Sequence, residues 1–111
     1  MEVTTKELRR CDLVVAKGRI DTSTVKILSD ALAEIKNAGR YKIVLNMRDV
    51  TYISSAGLSE LIDTQNTCKL LNRGELILAE VTPRVREVFN LAGLTSLFKI
   101  YDTESEAIGS F

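Results

Sequence analysis

The sequence contains no histidine and no tryptophan, and it has only two cysteines and one proline. Without histidine, and with Cys11 and Cys68 far apart in the chain, the ordinary ligands of a zinc site are missing. A serine hydrolase needs a base that takes the hydroxyl proton, and histidine is the usual one. We therefore expect no metal site, no catalytic residues and no enzymatic activity.

The chain also lacks a net charge and a long apolar run. Fifteen lysines and arginines balance fifteen aspartates and glutamates, so no positive field attracts nucleic acid or anionic lipid. No segment approaches the roughly 20 apolar residues that cross a bilayer, and the glycine-rich loops of nucleotide sites are absent. We expect no nucleic-acid partner, no direct membrane insertion and no cofactor.

The amino terminus has no signal-peptide pattern, which predicts a reducing, cytoplasmic location. Cys11 and Cys68 are then expected to be buried thiols, although the sequence alone leaves a disulfide between them open. With 45% apolar and 27% charged residues among 111, the composition is typical of a soluble globular protein. This length predicts one domain, residues 1–111.

Strand patterns and helix patterns alternate along the chain. Residues 3–17 predict two strands in a hairpin, and residues 18–24 predict a turn in which Asp21, Thr22 or Ser23 caps a helix. That helix runs to about Asn37 and stops at Gly39. The apolar runs at residues 43–45 and 76–79 predict buried strands, the first of them central in the sheet.

A second helix is predicted between these two buried strands, up to a break at Asn72, Arg73 and Gly74. A third helix starts at Pro83, where proline fits the first turn, and ends at Gly93. Residues 97–101 predict a last short strand, and residues 103–108 one weak helical turn or two. The fold class is therefore α/β, a mixed β-sheet of four to five strands with helices packed on it.

Loops that follow parallel strands gather at one edge of a sheet, and the loop predicted at residues 48–58 is the richest in functional groups. Asp49 follows the central strand, where a receiver domain carries its phosphoryl-accepting aspartate. The next strand ends in Leu78 and Ala79, so the further carboxylates that would hold a cation are missing. We interpret Asp49 as a turn residue.

Ser54 and Ser55 stand where the second helix begins, and either makes a good N-cap. A hydroxyl at a helix start also faces unpaired amides and the positive end of the helix dipole, so a phosphate added there is tolerated locally. Gly57 is unfavourable in a helix by about 1 kcal/mol relative to alanine. Close packing on the sheet and access for a partner explain it equally well.

Residues 46–58, NMRDVTYISSAGL, resemble the hallmark of STAS-domain anti-sigma-factor antagonists. In that hallmark a strand ends in an aspartate-bearing turn before a helix start of the form Asp-Ser-(Ser, Thr or Ala)-Gly-Leu. Residues 18–21, GRID, resemble the family's Gly-x-(Leu or Ile)-Asp, and residues 82–94 resemble its third-helix segment. The resemblance extends over essentially the whole chain.

The resemblance implies a partner-switching cycle. The unmodified protein binds a kinase-type anti-sigma factor, phosphorylation at the position of Ser55 ends binding, and a PPM-type phosphatase restores it. Ser54 replaces the aspartate of the motif, whereas Ala56 fits the pattern. The implied partner-binding residues are Asp21, Thr22, Ser23, Ser54, Ser55, Ala56, Gly57 and Leu58.

Two alternatives remain open at this point. Asp21, Thr22 and Ser23 serve equally well as helix caps. STAS modules also occur as scaffolds of signalling assemblies or accessory subunits of membrane transport systems, not regulated by phosphorylation. The missing motif aspartate at Ser54 favours such a scaffold, and the intact Ser55 favours the switch.

Overall fold

The computed structural model describes residues 1–70 and 73–111, which form a five-stranded sheet and four helices. The strands are β1 (Glu2–Glu7), β2 (Asp12–Ile20), β3 (Lys42–Ile53), β4 (Glu75–Ala79) and β5 (Ile100–Tyr101). The helices are α1 (Val25–Asn37), α2 (Ser55–Lys69), α3 (Pro83–Leu91) and α4 (Glu104–Gly109). The predicted α/β class and strand number are confirmed.

The strands lie in the order β1-β2-β3-β4-β5, so β3 is central as predicted. The hairpin of β1 and β2 is antiparallel, and the other pairs are parallel. Alternate residues of β3 face opposite sides: Ile43 and Leu45 join the larger core with α1, α2 and α3, whereas Val44 packs with Ala107 of α4. All four parallel strands therefore end at one edge, which we call the carboxyl edge.

The structure corrects the predicted loop at residues 48–58, because β3 continues to Ile53. Asp49 is not a turn residue: it lies in β3 opposite Lys17 of β2. Pairing persists through this polar stretch because the register of the two strands shifts twice, between Val15 and Lys17 and between Gly18 and Arg19, with one extra residue on β3 each time. Gly18 has a φ of +100°, so it belongs to this irregularity and not to the predicted turn.

Other boundaries follow the predictions more closely. Thr82 caps α3, and Pro83 is its first residue. The last strand is shorter than predicted: it contains Ile100 and Tyr101 but not Leu97 or Phe98. Helix α2 ends at Lys69, and the break predicted from Asn72 begins outside the described residues.

Both cysteines are buried free thiols, as expected. Burial raises the pKa of Cys68 to about 11, and it also raises the pKa of Cys11. Both thiols therefore stay protonated at neutral pH, and neither is an activated nucleophile.

A buried glutamine on α2 completes the sheet where β5 is too short. Gln65 donates its amide hydrogens to the carbonyls of Leu76 and Leu97, both at 3.0 Å, and accepts the Leu76 amide at 2.7 Å. Strand β5 pairs only with Leu78 and Ala79. The side chain of Gln65 thus satisfies backbone groups of β4 that a longer strand would otherwise pair.

We predict that Gln65→Met destabilises the protein by about 2–3 kcal/mol, because the thioether fills the space but leaves these backbone groups unpaired in the core. Urea unfolding provides the measurement. The matched control is Asn66→Ala, a change at the exposed neighbour on the same helix, for which we expect a shift within about 0.5 kcal/mol. Equal unfolding midpoints for the two variants would contradict the role of Gln65.

Candidate functional site

The site lies at the carboxyl edge, where the ends of β2 and β3 meet. Ile20 pairs with Ile53 at the end of the two strands, and the backbone amide of Ser54 then donates to the carbonyl of Ile20 at 2.8 Å. This bond holds the start of α2 beside the loop that follows β2. It therefore brings together the two predicted groups, residues 21–23 and 54–58.

The two serines at the start of α2 have different roles. Ser54 is the N-cap, with extended backbone and a hydroxyl that accepts the Gly57 amide at 3.4 Å. Ser55 is the first residue of the helix, and it is exposed. Since capping is assigned to Ser54, the hydroxyl of Ser55 has no part in it and faces solvent at the positive end of the helix dipole.

The loop after β2 is ordered by the carboxylate of Asp21. Its Oδ1 accepts the backbone amide of Ser23 at 3.0 Å and the hydroxyl of Ser23 at 2.7 Å. The hydroxyl of Ser23, followed by the other hydrogen bonds of the loop, lowers the pKa of Asp21 below its usual value. The carboxylate is therefore charged at neutral pH.

None of Asp21, Thr22 and Ser23 is the N-cap of α1 that the sequence predicted. The cap position belongs to Thr24, whose side chain makes no capping bond to the helix. The hydroxyl of Thr24 instead donates to the carbonyl of Arg19 at 2.7 Å. Asp21 acts earlier, in a local turn, and leaves the side chains of Thr22 and Ser23 exposed.

The remaining predicted residues of α2 face inward to different degrees. Gly57 is buried, and a β-carbon at this position would lie 2.7 Å from side-chain atoms of both Ile20 and Ile53. Leu58 is buried in the main core, whereas Ala56 is partly exposed. The structure thus accounts for Gly57 by close packing of helix on sheet.

Sequence reasoning missed two residues that border the site. Arg19 and Tyr52 are register partners on β2 and β3, and the guanidinium lies 4.3 Å from the centre of the tyrosine ring. Arg19 also approaches Asp21, with Nε 3.6 Å from Oδ2, and both Arg19 and Tyr52 are exposed. The alternation of β2 predicts that Arg19 points away from the core, but the pairing with Tyr52 depends on the two register shifts.

The other half of the carboxyl edge is held by internal hydrogen bonds. Asn46, buried near the middle of β3, donates to Glu104 at 2.8 Å and to Glu80 at 3.4 Å. Glu80 in turn accepts the Glu104 backbone amide at 3.0 Å. These bonds tie the middle of β3 and the residue after β4 to α4, so the exposed functional groups concentrate in the half formed by β2 and β3.

The part of the chain that the structure describes, residues 1–70 and 73–111, contains no cluster of three or more potential metal-ligating His, Cys, Asp or Glu side chains. Over the same residues, no helix combines the length and the apolar character that a membrane span requires. The groups that the site does present are hydroxyls, a charged carboxylate and a guanidinium. Such groups are suited to hydrogen bonding with a partner and to modification of a hydroxyl.

Comparison with known proteins gives a consistent picture. The family model of the STAS domain matches residues 2–107. The Bordetella bronchiseptica protein BtrV is 29% identical over 111 residues, which cover 100% of this chain and 95% of BtrV. The anti-sigma-B factor antagonist of Staphylococcus aureus is 32% identical over 92 residues, which cover 80% of this chain and 82% of that protein.

Among solved structures, the anti-sigma factor antagonist SpoIIAA in its unphosphorylated form aligns with a TM-score of 0.77 at 20% identity, over 98% of this chain and 96% of SpoIIAA. The phosphorylated form of SpoIIAA, from Bacillus, aligns with a TM-score of 0.76 at the same identity, over 98% of both chains. At this identity the likeness establishes the fold.

We predict that Gly57→Ala destabilises the protein by about 1–3 kcal/mol, because the added methyl group would overlap the side chains of Ile20 and Ile53. Thermal and urea unfolding provide the measurement. The control is Gly109→Ala at the end of α4, where a β-carbon meets nothing within 4 Å and the change should be neutral or slightly stabilising. A neutral Gly57→Ala would show that α2 does not pack tightly on the sheet.

Proposed function

Because this chain belongs to the STAS domain family, we propose that it acts as an anti-sigma factor antagonist that phosphorylation of Ser55 switches off. Its partner is then a kinase-type anti-sigma factor, which the unmodified protein binds and the phosphorylated protein releases. A PPM-type phosphatase restores the unmodified form. The observation that carries the proposal is the exposed hydroxyl of Ser55 at the first position of α2, next to a neighbour that already provides the cap.

A phosphate on Ser55 is compatible with the local structure. The first amides of α2 have no partners within the helix, and the helix dipole favours negative charge at this end. The modification therefore leaves the fold intact while it adds about two negative charges to the surface.

The added charge changes a surface that is close to balanced before modification. The carboxylate of Asp21 lies within ion-pair distance of Arg19, so these two charges offset each other at the ends of β2 and β3. A phosphate beside them makes this edge strongly negative. A partner surface fitted to the unmodified hydroxyl then meets like-charge repulsion or an unpaired charge, and binding is lost.

The proposed docking surface comprises the loop at residues 21–23 and the start of α2. Thr22 and Ser23 offer exposed hydroxyls, and Ala56 offers a small side chain beside Ser55. Gly57 and Leu58 are buried and contribute by packing this helix turn against the core. Two partly exposed large side chains border the surface, Tyr52 at 41% and Ile27 at 47% exposure, and residues of this size commonly anchor interfaces.

Serine can replace the motif aspartate at position 54 without loss of the helix cap. Aspartate and serine are both strong N-caps, and Ser54 makes the capping bond to Gly57. What the chain lacks is the carboxylate that the family places next to the acceptor hydroxyl. We therefore propose that Ser55 is modified, but slowly.

We predict that Ser55→Glu weakens binding to the kinase-type anti-sigma factor by about tenfold or more, because a carboxylate reproduces part of the phosphate charge. Isothermal titration calorimetry with the anti-sigma factor encoded nearest to this gene provides the measurement. The control is Ser105→Glu, which places the same charge at an exposed position in the first turn of α4. Unchanged affinity for Ser55→Glu, or equal losses in both variants, would refute the assigned surface.

A second prediction concerns the rate of phosphorylation. Ser54→Asp should raise the rate at which the same kinase modifies Ser55 by roughly tenfold, because a carboxylate at this position orients the hydroxyl and accepts its proton. Phosphorylation time courses with site mapping by mass spectrometry compare wild type, Ser54→Asp and Ser55→Ala. Wild type should be modified at Ser55, and Ser55→Ala should not be modified.

The same time courses distinguish the switch from the alternative function. Phosphate on Ser54, or an unmodified wild type in the presence of an anti-sigma factor that binds it, would contradict the switch. Such a result would instead favour an unphosphorylated STAS scaffold or accessory subunit.

A further inference from the structure

A cavity of about 240 Å³ lies at the edge of the sheet opposite to Ser55, where the parallel strands begin. It is lined by the turn between β1 and β2 (residues 7–12), by the connection from α1 to β3 (residues 39–42), and by Arg73 ahead of β4. The three segments are distant in sequence. The fold therefore creates this cavity, which no single motif contains.

Each of the three segments brings positive charge to the wall. The five cationic residues of the wall are Arg9, Arg10, Arg40, Lys42 and Arg73. They are a third of the fifteen cations of a chain whose net charge is zero. The cavity is thus a local positive region that the overall composition conceals.

Both carboxylates of the wall are engaged by one arginine. The Nε of Arg40 contacts the two carboxylate oxygens of Asp12 at 3.0 and 3.1 Å, and its Nη1 lies 3.7 Å from Glu7. Five cations less two carboxylates leave the wall with a net charge of +3. Within residues 1–70 and 73–111, no Asp or Glu side chain forms an ion pair with the other four cations. One of these four, Arg10, donates from Nη1 to the backbone oxygen of Phe111 at 3.1 Å, which leaves Arg9, Lys42 and Arg73.

The backbone fixes where several of these groups stand. A β-carbon on Gly74 would lie 2.1 Å from the carbonyl oxygen of Tyr41, so the chain entering β4 runs directly against the segment before β3. Arg73 is thereby brought to the Tyr41 ring, with its guanidinium 5.9 Å from the ring centre. The turn between β1 and β2 is held by the bond of the buried Asp12 with Arg40.

The hydrogen-bond donors that suit an anion in this cavity are the guanidinium groups of its wall. The amides of Gly39 and Arg40 already donate to carbonyls at the end of α1, at 2.9 and 3.2 Å. Guanidinium groups remain, and their planar arrays of donors match phosphate oxygens. The volume is below the roughly 300–1,000 Å³ of pockets for drug-sized ligands, so the ligand is small.

We propose that this cavity binds the phosphate group of a small phosphorylated ligand, with Arg9 and Arg73 as the principal contacts. Three uncompensated positive charges around a concave surface repel one another, and a multivalent anion relieves that repulsion. Arg9 comes from the segment between β1 and β2 and Arg73 from the segment ahead of β4, so two separate parts of the wall each provide a guanidinium for one phosphate or diphosphate. The site goes beyond the proposed switch, because it lies at the other end of the sheet and does not involve Ser55.

The test uses sodium pyrophosphate and inorganic phosphate as probes, with sodium chloride at matched ionic strength as the reference. Two-dimensional NMR of the wild-type protein should show saturable shifts of backbone amides in residues 8–12, 39–42 and Arg73. Pyrophosphate should bind more tightly than phosphate. The double variant Arg9→Gln and Arg73→Gln should weaken binding at least tenfold, and both changes are at exposed positions.

The matched control is the double variant Arg84→Gln and Arg86→Gln, which removes two exposed arginines from α3 and should leave the affinity unchanged. Equal weakening in both double variants would show that any exposed arginines attract the anion, and it would overturn the assignment to this cavity. Shifts elsewhere in wild type, or shifts that never saturate, would overturn the site. Binding of an acidic peptide but not of pyrophosphate would overturn the ligand class.

Discussion

The candidate site depends on one backbone hydrogen bond, from the amide of Ser54 to the carbonyl of Ile20. It extends the pairing of β2 and β3 by one step beyond the last residue of β3. Because α2 starts at the next residue, the bond fixes the position of the helix start relative to the loop after β2. The hydroxyl of Ser55 on that helix start and the loop proposed to bind a partner can then belong to one surface.

The same junction explains why glycine is needed in the first turn of α2. The extra pairing step brings the helix so close to the sheet that Ile20 and Ile53 occupy the space of a β-carbon at Gly57. A glycine in a helix costs about 1 kcal/mol in propensity. The close approach of α2 to the sheet offsets this cost, because Ser54 then pairs with β2 in extended conformation and still caps the helix. Fold requirements therefore determine these two residues, while Ser55 is left available for chemistry.

Much of the fold could be predicted from runs of apolar residues, because the buried strands at 43–45 and 76–79 have no polar interruption. The polar end of β3 could not be predicted in this way. Its residues Arg48, Asp49 and Tyr52 are exposed, and the pairing that keeps them extended is with β2, a non-local contact. The role of Gln65 could not be predicted for a similar reason. Its position falls on the apolar face of α2, but its hydrogen-bond partners are backbone groups of β4 and of the segment before β5.

The sequence names candidate site residues more completely than their surroundings, because the resemblance covers contiguous residues, and their role in partner binding stays a prediction. The positions from Ser54 to Leu58 lie in one helix turn, and the loop at residues 21–23 comes directly after a strand. Arg19 and Tyr52 are not contiguous in the sequence, and their contact requires the two shifts in register between β2 and β3. A contiguous motif can be found in the sequence, whereas neighbours supplied by another strand appear only after folding.

Zero net charge gives no information about how charge is distributed over the fold. The parallel strands bring Asp21, Glu80 and Glu104 to the carboxyl edge and place arginines and a lysine around the cavity at the opposite edge. A phosphate added to Ser55 would increase this asymmetry, because it adds negative charge beside Asp21, whose own charge is offset by Arg19. The polarity of the sheet is therefore a property of its topology, and composition alone does not reveal it.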